Sequence, residues 1–230
     1  KIDDLELPSN ILLLIKNYEG YKNIINLMTK YYNNDENNLI NLNDLEKNNE
    51  GIICLSGGAN GPIGKSILSK NTLTAEKILI NLNSIYKENF FIELSRSGLE
   101  DEKKTEHFFL SVASKFNFPV VATNNNYFSD IKMHEATDAL LCIKNVDKLS
   151  NPERNSISKD FSFKSSAEMI NKFQDIPESI SNTILIAKKC SFMLETSNPR
   201  LPKFFNSTND ENKQLNKLAH QGLNKKIFEN

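Results

Sequence analysis

Four short apolar runs punctuate the chain, at residues 11–15, 52–55, 90–94 and 119–122. Each is bounded by turn residues and is too short for a helix. Their apolar positions are consecutive rather than alternate, which suits strands covered on both faces, as in a parallel sheet or a barrel. Segments with helical spacing lie between them. Ile24, Ile25, Leu27 and Met28 follow the first run. Phe109, Val112, Ala113 and Phe116 follow the third, spaced i, i+3, i+4, i+7 behind an acidic first turn at residues 100–102. Met133, Ala136, Thr137, Leu140 and Leu141 form a further stripe after the fourth. Strand alternating with helix predicts an α/β fold. Periodicity leaves open whether the sheet closes into a barrel.

Beyond residue 150 the pattern turns helical. Ser165 and Glu168 have the spacing of a capping box and open a helix carrying Met169, Ile170 and Phe173. Pro177 stands at a first-turn position of the next helix, whose inner face is expected to hold Ile180, Ile184 and Ala187, with Lys188 and Lys189 at its C-terminal end. Pro199 and Pro202 stiffen residues 198–202 into an expected connector, and residues 215–228 are helical again. The polar stretch 33–49, rich in Asn, reads as a solvated loop.

At 230 residues the chain can bury a core without disulfides or a structural metal. A net charge of −1 supplies no global field toward nucleic acid or membrane, so any nucleic-acid role is local or belongs to a longer protein. Cys54, Cys142 and Cys190 sit among apolar neighbours without C-x-x-C spacing, as buried thiols of a reducing cytoplasm. The run at 11–15 is far too short to span a bilayer. The chain opens on Lys1 and stops within a helical pattern, as expected of an internal piece of a longer protein.

Two constellations carry candidate chemistry. Residues 59–66, Ala-Asn-Gly-Pro-Ile-Gly-Lys-Ser, follow a predicted strand where a phosphate loop belongs, with Lys65 for the terminal phosphates and Ser66 for magnesium. Ala59 replaces the first Gly of that pattern and Pro62 removes an N–H donor. The alternative is a Gly-rich strand-to-helix turn. At the strand ends lie Glu93, Ser95 and Ser97, then Thr123, Asn124, Asn125, Asn126 and Tyr127. Sites of parallel α/β folds are built there, yet one carboxylate among amides and hydroxyls is a poor donor set for zinc or manganese. His134 stands alone as a structural residue, and His107 and His220 lie in polar helical settings without a catalytic partner. The chain has no Asp-x-Asp pair to hold the metals of nucleotide transfer.

Several ordered segments resemble one known family. They are residues 51–58, 91–94, 119–124, His134-Glu135 and 140–143, then Asn151-Pro152-Glu153-Arg154, residues 163–169, 173–178, Asn182-Thr183, 186–190 and 199–204. Together they resemble the PHP (polymerase and histidinol phosphatase) domain of the bacterial DNA polymerase III alpha subunit. The resemblance implies a distorted (β/α) barrel of PHP type, incomplete at its N-terminus and followed by helical segments. It places the PHP domain at residues 1–197 and a connector with the first helix toward the polymerase palm at 198–230. Family members with a metal site carry a Glu and a His on one strand, and an Asp and a His on the next. Glu93 matches the Glu, as a vestigial metal position. Ser97 stands for the first His, Asn125 for the Asp and Tyr127 for the second His. The implied role is a metal-poor structural and exonuclease-docking module, with no catalytic residue and no cofactor in the fragment. Magnesium, DNA contact and nucleotidyl transfer belong to the full-length cytoplasmic polymerase, whose partners are the proofreading exonuclease and other replisome subunits, with no membrane. The alternatives are an active metal-dependent phosphoesterase and a nucleotide binder through residues 59–66.

Overall fold

The computed structural model describes residues 9–33, 39–154, 156–196, 198–199 and 208–228. The chain divides into a compact unit, Lys1–Phe192, and a second unit, Met193–Asn230.

All four apolar runs become strands: β1 (Leu12–Ile15), β2 (Ile52–Leu55), β3 (Phe90–Ser95) and β4 (Val120–Thr123). They form one sheet in the order β1-β2-β3-β4. β2, β3 and β4 run parallel, whereas β1 is antiparallel to β2, with Leu12 opposite Leu55 and Ile15 opposite Ile52. The expected barrel is not closed among the described residues. Four strands of four to six residues are too few to close, and the sheet is open.

The consecutive apolar positions are explained by burial on both faces. Ile52, Cys54, Phe90, Ile92, Leu94, Val120 and Ala122 point into the larger core. There they meet α4 (Thr72–Tyr86), through Ala75, Ile78, Leu79, Leu82 and Tyr86, and α5 (Glu100–Phe116), through Phe109, Val112 and Ala113. Ile53, Leu55, Phe91 and Val121 point the other way, to Ile186 of α8 (Pro177–Lys189). α8 is also fastened to β4 by Asn182, whose side-chain amide donates to the Val120 carbonyl at 2.8 Å. α1 (Tyr18–Asn33), α2 (Leu42–Lys47), α3 (Pro62–Leu68), α6 (His134–Asn145) and α7 (Ser166–Lys172) also belong to this unit.

Three expectations need correction. The stretch 33–49 is not wholly a loop: its described part contains α2 (Leu42–Lys47). Asn41 and Asp44 form a capping box, and Leu45 is buried in the core. On α6 the inward residues are His134, Asp138, Leu141 and Cys142; of the expected stripe Leu141 is inward, whereas Met133, Ala136 and Leu140 are exposed. On α8 Ile180 packs against the core as expected, beside Ser179, Asn182, Thr183 and Ile186, whereas Ile184 and Ala187 face out. In both helices polar side chains that hydrogen-bond within the unit take inward positions.

The predicted capping box at Ser165 is present: its hydroxyl accepts from the Glu168 N–H, and Glu168 accepts from the Ser165 N–H at 2.8 Å. In the second unit α9 (Thr208–Phe228) includes the helix expected over 215–228 and starts earlier. Of the expected connector, Arg200, Leu201 and Pro202 lie outside the described residues, as do Lys203 and Phe204. No helix among the described residues is long and apolar enough to cross a membrane.

Candidate functional site

The C-terminal ends of β2, β3 and β4 come together, and their parallel register sets Ser95 opposite Thr123. Glu93 stands near this edge on β3. The Thr123 hydroxyl donates to Glu93 Oε1 at 2.8 Å, and the Gly57 N–H donates to the same carboxyl group. The Glu93 N–H is held by the Ser56 hydroxyl at 2.9 Å. Burial pushes the Glu93 pKa above the ordinary carboxyl value, and these two donors oppose that shift in part.

The other three matched positions do other work. Ser97 is fully buried and its hydroxyl lies 3.0 Å from that of Ser95. Its N–H donates to Glu102 Oε2 at 2.7 Å, closing the turn that opens α5. Asn125 is exposed. Tyr127 is 62% exposed and stacks on Phe161, with ring centroids 5.1 Å apart. Phe161 belongs to a 3₁₀ turn, Lys159–Phe161, in a segment that lies across the ends of β3 and β4. The Tyr127 N–H donates to the Phe161 carbonyl, the Phe163 N–H to the Phe128 carbonyl, and the Asn124 amide to the Ser162 carbonyl. Ser158 donates to the Ser97 carbonyl at 3.0 Å.

Thus Glu93 turns toward Thr123 and Gly57, Ser97 toward Ser95, and Tyr127 toward Phe161. A hydroxyl, an amide and a phenol beside one hydrogen-bonded carboxylate do not fit a zinc or manganese centre. Among the described residues no group of three or more His, Cys, Asp or Glu side chains is placed to hold a metal ion.

The segment 59–66 forms a 3₁₀ turn (Gly58–Asn60) followed by α3. Ser66 is buried and its hydroxyl donates to the Pro62 carbonyl at 2.8 Å, which turns it inward along its own helix. The glycines serve close packing. Gly57 has φ +82° and a Cβ there would meet the Asn10 carbonyl oxygen at 2.3 Å; one on Gly64 would meet that of Gly58 at 2.4 Å. A strand-to-helix turn accounts for the whole motif.

The hub beside the site was not read from the sequence. Arg96, just after β3, donates to Glu106 from Nε at 3.1 Å and from Nη2 at 2.5 Å. It donates to Asp175 through Nη1 at 2.6 Å and Nη2 at 2.7 Å, and to the Lys172 carbonyl at 2.6 Å. Its guanidinium lies 4.8 Å from the Phe173 ring centroid. No spacing rule reaches partners ten and seventy-nine residues away, so no local signal marks this residue. The three cysteines are free, with Cys54 and Cys142 buried and Cys190 partly exposed.

Residues 2–97 match the family model of the PHP domain. The chain is 36% identical over 218 residues to the DNA polymerase III subunit alpha of Rickettsia bellii, covering 94% of the chain and 19% of that relative. It is 32% identical over 214 residues to that of Caulobacter vibrioides, covering 92% and 18%. With that of Haemophilus influenzae it shares 33% identity over 198 residues, covering 85% and 17%. The chain therefore spans about a fifth of the length of these curated relatives.

Proposed function

The chain is homologous over nearly its whole length to a segment of the bacterial DNA polymerase III alpha subunits, with PHP-domain sequence at residues 2–97, and we propose that it acts as a metal-poor structural module of such a polymerase. The carrying observation is the donor set at the strand ends, where Glu93 is the one carboxylate among the four matched positions and is already engaged by Thr123 and Gly57. A PHP-type barrel belongs to the same proposal, with β1 and β4 as the edges at which further strands pair. So does a domain boundary near residue 197. The module supports the polymerase domains and docks a proofreading exonuclease and other replisome subunits in the cytoplasm. Template-directed synthesis, its magnesium and its DNA contacts reside elsewhere in the full-length protein.

Elemental analysis after incubation with zinc or manganese tests the reading. The expected result is less than one ion per chain and no manganese-dependent hydrolysis of a nitrophenyl phosphate ester. Two or more bound ions, with hydrolysis lost in Glu93→Ala, would establish the phosphoesterase instead.

A further inference from the structure

A polar cluster on α6 lies outside the strand-end site. His134 and Asp138 stand one turn apart on this helix. Asp138 is 4% exposed, and its Oδ2 accepts from Arg154 Nη2 at 2.5 Å. His134 Nε2 lies 2.8 Å from the Ile157 carbonyl oxygen. A carbonyl only accepts, so Nε2 carries the proton, and Nδ1 of the neutral ring is left as an acceptor. His134 Nδ1, Asp138 Oδ1 and Arg154 Nε are all buried and have no hydrogen-bond partner among the described residues. Only two other side-chain atoms among the described residues share that condition, on Tyr86 and Lys172. The deficit is therefore concentrated here.

The chemistry of the three atoms specifies what fills the deficit. Two are acceptors and one is a donor. A cation is disfavoured by the Arg154 guanidinium and an anion by the Asp138 carboxylate. A water molecule has two protons to donate and two lone pairs to accept with, which matches two acceptors and one donor. We propose that one ordered water donates to His134 Nδ1 and Asp138 Oδ1 and accepts from Arg154 Nε. Together with the Arg154–Asp138 pair and the His134–Ile157 bond, it anchors Arg154 and Ile157 onto α6. Ser158, next in the chain, reaches Ser97, so the water helps position the segment that crosses the strand ends.

A crystal structure of the full chain, at a resolution that shows ordered waters, is expected to place one density peak within hydrogen-bonding distance of all three atoms. Imidazole nitrogen spectra of the same chain are expected to show His134 as the Nε2–H tautomer with a bare Nδ1. In His134→Phe the peak is lost while the Asp138–Arg154 pair remains. Should that variant not fold, the density peak in the unaltered chain still decides. A doubly protonated ring donating directly to Asp138, a side chain in the water's place, or no peak at all would overturn the proposal.

Discussion

Glu93 is held where its charge is disfavoured, and the consequence can be measured. Burial raises its folded pKa, against the opposing pull of Thr123 and Gly57. The folded chain then binds the proton more tightly than the unfolded one. This contribution to stability is intact below the ordinary Glu pKa of about 4.3 and declines as pH rises toward the raised folded value. Glu93→Gln keeps an oxygen for the Thr123 hydroxyl and removes the charge. It is expected to be more stable than the parent near neutral pH and equal to it below that ordinary value, as read from urea midpoints. A less stable variant at neutral pH would mean that the carboxylate has a cationic partner. Arg96 is the opposite case, a charge whose five N–H groups are all used. Lysine keeps the charge but not the planar fork. Arg96→Lys should cost about 3 kcal/mol, the scale for breaking hydrogen bonds to partly buried charged groups, measured by the same denaturation.

The elements differ in how plainly the sequence announces them. Consecutive apolar residues marked all four strands, because β2, β3 and β4 are covered on two faces and β1 lies against them through Leu13 on one side and Leu14 on the other. α4 went unassigned although Ala75, Ile78, Leu79 and Leu82 repeat at helical spacing and Asn71 caps its start. α6 and α8 were recognised, but only part of each inward face was assigned. There Asp138 and Ser179 take inward positions because each has a partner waiting, Arg154 and the Ile176 carbonyl. The antiparallel direction of β1 has no signature in the run itself. α2 was hidden in a compositionally biased stretch, and its cap offers the test. Asn41 Oδ1 accepts from the Asp44 N–H at 3.0 Å. Asn41→Ala is predicted to cost about 1 kcal/mol, the usual value for a lost N-cap, and to speed amide exchange in residues 42–47 more than elsewhere. Burial alone would raise the pKa of Asp44, but the Lys30 ammonium and the Asn41 N–H hold it below the ordinary value. A depressed folded pKa makes this contribution present at neutral pH and lost as pH falls through the folded value. Acidification should therefore release α2 early, and Asn41→Ala, which keeps the backbone N–H that donates to Asp44, should leave that acid effect in place.

On the scale of the whole molecule, the family resemblance was legible because it rests on many short segments in order, whereas the strand-end site was legible only as residue types at matched positions. That Tyr127 turns to Phe161 depends on a segment more than thirty residues on, and no spacing rule connects the two. The same distance in sequence separates the parts of the core. Among the described residues the buried apolar side chains run from Leu27 to Ile186, all within the unit that ends at Phe192. On α9 the large apolar residues Leu215, Leu218, Leu223, Ile227 and Phe228 are each more than half exposed, so this helix adds little apolar burial to resist unfolding. Cooperative unfolding reports the core that melts, not the length of the chain. A chain ending at Phe192 is therefore expected to unfold at the same urea midpoint as the full chain, within experimental error. Its helical circular dichroism should fall by the share that α9 supplies. A lower midpoint would show that residues 193–230 stabilise the first unit and that the two melt together.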